Sequence, residues 1–216
     1  QLSRPQDLRK DQTYFLHGIP SGDLPRLMFP LSELTKTEVR KIARKLKLSA
    51  ANKPDSQEVC FVPKDYRKFL KYELNETPLP GEFTSISGEV LGEHQGLPFY
   101  TIGQRRGLGL SDTTPYYVVK IDKEHNRIVL GKEDDLYSKT ISVSSVNWVS
   151  ISAPETPINA SVKLRSAHHG ATATLIPLSG NNVRLELENP ERAVTPGQAA
   201  VFYQDDILLG GGKIDY

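Results

Sequence analysis

Ile158-Asn159-Ala160-Ser161-Val162-Lys163-Leu164 sets an apolar side chain at every second position. A period of two belongs to a strand with one face buried. Working outward, Val183, Leu185 and Leu187 repeat the alternation on one side, and Ile141 and Val143 on the other. Turn-forming clusters punctuate the stretch at 179–182 and 189–191. Repeated short strands without a helical pattern predict one small all-β unit over 140–216, a barrel or a sandwich. His168-His169 falls inside it. As neighbours on a strand these two would point opposite ways, and no partner ligand stands at suitable spacing, so the pair is not read as a metal site.

Upstream, from Thr77, short alternating runs continue. Phe83-Thr84-Ser85-Ile86, Gly88-Glu89-Val90-Leu91, 116–122 and 127–131 read as strands, the last two forming a hairpin across 123–126. Gly103, Gly107 and Gly109 bracket Arg105 and Arg106. This is either a glycine-rich turn with exposed arginines or a loop that brings its backbone close to RNA or to a reacting site. Residues 65–74 read as a short helix with Tyr66, Phe69 and Leu70 on one side.

A clearer helix begins at Thr35-Lys36-Thr37-Glu38, a capping box in which Thr35 and Glu38 satisfy each other's backbone donors. Val39, Ile42, Ala43 and Leu46 follow as one apolar stripe, with Lys36, Arg40, Arg44 and Lys47 as a basic stripe on another face. Before it, Lys10-Asp11-Gln12 and the aromatic run Tyr14-Phe15-Leu16 read as a loop entering a sheet.

Charge divides unevenly. Residues 1–72 hold 15 Lys/Arg against 8 Asp/Glu, a net of +7, and residues 73–216 hold 12 against 18, a net of −6. That asymmetry suits either a front section facing a polyanion or a solvated lysine-rich helix. No apolar run approaches the roughly 20 residues that span a bilayer, and no signal peptide opens the chain.

Cys60 is the only cysteine, which excludes an internal disulfide and a cysteine-built zinc site. A lone cysteine is commonly a small buried hydrophobe. As a thiolate it is also a nucleophile and can carry transferable sulfur, for which a reducing cytoplasm is the natural setting. Its neighbourhood is Lys53-Pro54-Asp55-Ser56-Gln57-Glu58-Val59-Cys60-Phe61-Val62.

The run 55–61 resembles the second-cysteine motif of the tRNA-specific 2-thiouridylases, the MnmA/TrmU family. The resemblance extends to Lys10-Asp11-Gln12-Thr13-Tyr14-Phe15-Leu16, to Gly92-Glu93-His94-Gln95-Gly96, to Thr101-Ile102-Gly103-Gln104-Arg105-Arg106-Gly107-Leu108-Gly109, and to Val194-Thr195-Pro196-Gly197-Gln198-Ala199-Ala200-Val201-Phe202-Tyr203 with Leu209-Gly210-Gly211-Gly212. These collinear matches cover almost the whole chain. They imply an α+β protein in three parts: the end of an α/β pyrophosphatase, or nucleotide-binding, domain (1–62), a small mainly-β central domain (63–139) and a C-terminal β-barrel (140–216).

Further expectations come from the resemblance alone. Cys60 is the catalytic persulfide carrier for 2-thiolation of the wobble uridine, with Asp55, Ser56, Arg105 and Arg106 as supporting residues. Lys10, Asp11, Gln12, Arg165, Ser166 and Gln198 touch tRNA, although Ser166 replaces the aromatic residue of the family's pair. ATP, with Mg2+, would be bound mainly by an N-terminal domain whose phosphate loop and second cysteine are not among these 216 residues. Gln1 opens the chain and Met28 is its only methionine, so it reads as a fragment or a processed product. The implied partners are tRNA and a persulfide donor, a cysteine desulfurase or a sulfur-relay protein. Two other classes stay open: a non-catalytic RNA-binding module, and a single-cysteine redox protein.

Overall fold

The computed structural model describes residues 1–53 and 78–215. Cys60, Asp55, Ser56 and the helix expected at 65–74 lie outside the described residues. The chain divides into two compact units: Pro54–Ser138 with Arg192–Val194, and Gln1–Lys53 with Lys139–Glu191 and Thr195–Tyr216.

The first of these is built on a four-stranded sheet: β1 (Gly81–Ser85), β2 (Val90–His94), β3 (Tyr117–Asp122) and β4 (Arg127–Gly131), in the order β2-β1-β4-β3. β1 runs parallel to β4 and antiparallel to β2, while β3 and β4 form the expected hairpin, Asp122 opposite Arg127. Phe83, Phe99, Tyr100, Leu108, Val118, Ile128 and Leu130 make its core. The strand expected from Gly88 begins two residues later. Gly88 has φ +89°, its N–H bonds to the Ser85 carbonyl, and the Ser85 hydroxyl takes the Glu89 N–H, so 86–89 is spent on the turn.

The second unit contains a closed barrel of β5 (Tyr137–Trp148), β6 (Ile158–Lys163), β7 (Ala171–Leu178), β8 (Asn182–Arg192), β9 (Ala199–Gln204) and β10 (Ile207–Ile214). Around the barrel the order is β10-β5-β8-β7-β6-β9. Of the alternating positions that suggested strands, Ile141, Val143, Ala160, Val162, Leu164, Val183, Leu185 and Leu187 are buried, and Ile158, at the start of β6, is partly buried. One expected turn is absent, because β8 continues through 189–191. Pro190 lies beyond the Ala173–Leu187 pair with β7, where its missing N–H forfeits no bond to that neighbour.

β9 buries four consecutive side chains, Ala200, Val201, Phe202 and Tyr203. Successive strand residues face opposite ways, so both faces of β9 are covered. The cover for Val201 and Tyr203 is the N-terminal segment, whose Leu2 and Tyr14 join them with Val149 and Leu208 in one apolar cluster. Backbone bonds fasten it there: Leu208 N–H to the Leu2 carbonyl at 2.9 Å and Arg4 N–H to the Asp206 carbonyl at 2.8 Å. The Asn147 side-chain amide adds bonds of 2.8 Å to the carbonyls of His17 and Ile19.

The Thr35 capping box forms as read, heading α1 (Lys36–Lys45). Its apolar stripe does not become core among the described residues, since Ile42 is 45% and Leu46 62% exposed. No helix among the described residues is long and apolar enough to cross a membrane.

Candidate nucleic-acid interface

Residues 10–12, termed the tip, join two 3-10 turns of the N-terminal segment, Leu8–Lys10 and Thr13–Leu16. The run after them is not a strand: Thr13–Leu16 is a 3-10 helix. Asp11 explains why, because its Oδ1 accepts from both the Thr13 N–H at 2.8 Å and the Thr13 hydroxyl at 2.6 Å, fixing a turn where a strand would need an extended backbone. Lys10 and Gln12 are exposed. Asp11 is not; its side chain is 6% exposed and its Oδ2 stands 3.7 Å from Arg4 Nε.

The contacts continue inward. Thr13 Oγ1 lies 3.1 Å from the Tyr203 hydroxyl. Since Thr13 gives its own proton to Asp11, Tyr203 is the donor in that bond. Burial pushes the Tyr203 pKa up, which keeps the phenol protonated for this role. The Arg4 guanidinium sits 4.1 Å from the Tyr203 ring centroid. Tyr14 donates to the Ala199 carbonyl at 3.0 Å, next to Gln198.

Gln198 is exposed on the turn into β9, held by its N–H to Thr195 and by its carbonyl, which takes the Ile214 N–H at 2.8 Å. Strand register brings Arg165 to the same end of the barrel. Lys163 pairs with Val201, so the turn after β6 that carries Arg165 leaves the barrel near the start of β9. Arg165 and Ser166 are exposed. Gln198 and the turn after β6 therefore lie at the start of β9, which the Tyr14 phenol also reaches. Asp11 and Thr13, between and beside Lys10 and Gln12, stand against Arg4 and Tyr203 toward the other end of that strand.

The Arg165 turn has a clasp that the sequence did not announce. His168 and His169 are not on a strand; they follow the bend at 164–167. His168 is 8% exposed, accepts the Leu164 N–H at Nδ1 and so carries its proton on Nε2, which faces the Glu191 carboxylate at 3.2 Å. His169 is exposed. Among the described residues no group of three or more His, Cys, Asp or Glu could hold a metal ion.

In the other unit, Gly103, Gly107 and Gly109 have φ of +82°, +77° and +72°, and Arg105 and Arg106 between them are exposed. Gln104 ties the loop down, accepting the Thr101 N–H and donating to the Arg106 carbonyl at 2.9 Å. Arg192 grips Glu133 through two bonds and holds that carboxyl below its usual range, with Tyr117 and the charge of Arg105 contributing.

At the start of α1 the Asp7 carboxylate takes the Lys36 N–H at 3.0 Å, and Glu38 closes the capping box. Two carboxylates already occupy the positive end of that helix and would repel a phosphate.

Three family models match the chain in succession: the tRNA methyl transferase HUP domain at 1–64, the tRNA methyl transferase PRC-barrel domain at 67–132 and the aminomethyltransferase beta-barrel domain at 138–214. The tRNA-specific 2-thiouridylase MnmA of Symbiobacterium thermophilum is 45% identical over 99% of this chain and 55% of its own length. That of Carboxydothermus hydrogenoformans is 45% identical over 99% of the chain and 59% of its length. That of Synechococcus sp. is 46% identical over 100% and 60%.

The chain belongs to the tRNA-specific 2-thiouridylase family. It spans 55–60% of the length of these relatives, whose names describe a thiolating enzyme acting on tRNA. Within the part matched to the family's HUP domain, residues 1–53 share a compact unit with the barrel.

Proposed function

We propose that this chain is the sulfur-carrying and tRNA-gripping part of a tRNA-uridine 2-sulfurtransferase, which replaces the C2 oxygen of the wobble uridine with sulfur. The observation that supports the binding half is that Lys10, Gln12, Arg165 and Gln198 are all exposed on the one compact unit that holds the barrel. Ammonium and guanidinium groups suit phosphates, and amides suit base edges. Ser166 sits on the same turn with a shorter reach. Asp11 belongs to the interface through the groups it holds in place.

Cys60 is the carrier. Its thiolate attacks the sulfane sulfur of a protein persulfide, from a cysteine desulfurase or a sulfur-relay protein; one S–S bond forms, the donor's breaks, and the donor leaves as a thiol. A serine hydroxyl cannot hold such a sulfur. Asp55 and Ser56 flank the carrier in sequence, and Arg105 and Arg106 are candidates for backbone contact with RNA. ATP with Mg2+ belongs to the reading as a reagent bound outside the described residues. In this reading residues 1–62 end a nucleotide-binding domain, 63–139 form the central domain and 140–216 the barrel.

The test is the 2-thiouridine content of tRNA, by mass spectrometry, in cells lacking the gene and complemented with the full-length protein. Wild type restores thiolation and Cys60→Ser does not, while Cys60→Ser retains tRNA binding. Restoration by both would remove Cys60 from the chemistry. Restoration by neither, with tRNA binding intact, would leave an RNA-binding module.

A further inference from the structure

The strongest unexplained feature is a buried polar chain with no catalytic task. Tyr203 is fully buried, Thr13 is 4% exposed and the side chain of Asp11 is 6% exposed, yet each is hydrogen-bonded to the next. A buried carboxylate is costly unless held by donors and a countercharge. Asp11 has two donors from Thr13 and the nearby Arg4 guanidinium, which Tyr203 supports from the other side. Such an arrangement joins a surface tip to a strand of the barrel that is buried on both faces. Lys10 and Gln12 flank Asp11 in the chain, so they cannot move without disturbing it.

We propose that Arg4, Asp11, Thr13 and Tyr203 are positioning residues that lock the 10–12 tip onto β9, so that Lys10 and Gln12 meet tRNA in fixed register with Gln198 and Arg165. This inference rests on the reading of those four groups as tRNA contacts. Asp11 then acts entirely through its neighbours. The polar chain is also specific in direction: Tyr203 donates to Thr13, which donates to Asp11, and removal of the phenol hydroxyl alone leaves a buried Thr13 oxygen short of its donor. A flexible loop could present a lysine and an amide, but would lose their ordering entropy on each encounter; a pre-locked tip does not.

The experiment is a double-mutant cycle on the full-length protein, reading the Kd for an unmodified tRNA transcript by fluorescence anisotropy. One arm is Lys10→Ala with Gln12→Ala, the other Tyr203→Phe, which removes a single oxygen and keeps the ring. Asp11→Asn repeats the second arm in case Tyr203→Phe fails to fold. The tip variant is expected to weaken binding roughly tenfold in the wild-type background, as loss of charged hydrogen bonds does. In the Tyr203→Phe background it should cost less than about twofold, because the tip is already unlocked. Arg165→Ala, on a turn clasped independently by His168, should cost the same in both backgrounds.

Additive effects of the tip variant and Tyr203→Phe would overturn the inference, as would a Tyr203→Phe protein that melts earlier but binds tRNA normally. A tip variant without effect in a protein that binds tRNA would overturn it too, placing the tip outside the interface. Failure of the wild-type protein to bind tRNA would instead overturn the functional reading on which the inference rests.

Discussion

His94 carries its proton on Nε2, since that atom lies 3.1 Å from the Asn126 carbonyl, which only accepts, and Nδ1 takes the Gly96 N–H at 3.0 Å. Phe83 and Tyr100 pack edge-on against the ring, which is 1% exposed. Burial therefore pushes the His94 pKa down, against smaller opposing effects of the Asn126 bond and Glu93. A second proton on Nδ1 would also collide with the Gly96 donor. When the folded pKa lies below the unfolded value, the unfolded chain takes up the proton first, so stability is full above about pH 6.5 and falls as pH drops below it. Thermal melts between about pH 7.5 and 5 should show this decline in the wild-type protein and a flatter dependence in His94→Gln. Parallel slopes for the two proteins would assign the acid sensitivity to other groups. The motif containing His94 was legible as a family signature, but nothing in its letters said that the ring is sealed in a core. Asp11 is the same case: its polarity reads as surface, and only Thr13, two residues on, hints at a side chain that caps its own backbone.

At the scale of elements, local patterns were legible where local physics decides. The alternation in β6 and β8, the β3–β4 hairpin and the Thr35 capping box all formed where the sequence put them. The docking of the N-terminal segment was not legible, because a bridge between Ser3 and Ile207 leaves no periodicity in either stretch. Its one trace was the continuous apolar run 200–203, a strand buried on both faces. β10 shows why its glycines matter to that docking. A Cβ on Gly211 would come within 2.8 Å of the Ala200 carbonyl oxygen and 3.0 Å of His17 Cβ. The first contact is backbone and cannot swing aside. Gly211→Ala should therefore destabilise the barrel unit by about 1–3 kcal/mol, the usual range for overpacking. Chemical denaturation of the full-length protein measures it, and an unchanged midpoint would mean that β9 and the segment give way at no cost. The failed turn at 189–191 and the exposed stripe of α1 share one cause: composition identifies a turn-prone or apolar stretch, whereas tertiary neighbours decide whether it bends or is covered.

Across these 216 residues the formal net charge is only +1, so attraction to a polyanion such as tRNA rests on where the cations stand, with +7 over residues 1–72 against −6 over the rest. Salt screens exposed charges beyond about 8 Å at physiological ionic strength, so any steep salt dependence must come from cations placed against phosphates. Each phosphate neutralised releases condensed counterions and adds about 0.7 to 0.9 to the slope of log Kd against log salt. Lys10 and Arg165 are both exposed on the unit that holds the barrel, so they should report as separate phosphate contacts. In the full-length protein, Lys10→Gln and Arg165→Gln should each lower the slope by nearly one, and together by nearly two. Gln198→Ala should weaken binding at every salt concentration without changing the slope, since an amide displaces no counterion. The titration distinguishes two kinds of basic protein. A slope untouched by both substitutions would place the phosphate grip elsewhere, with Arg40 and Arg44 of α1 and Lys47 just beyond its C-cap as the next residues to neutralise. Loss of affinity with the slope unchanged would make Lys10 and Arg165 readers of bases or of shape.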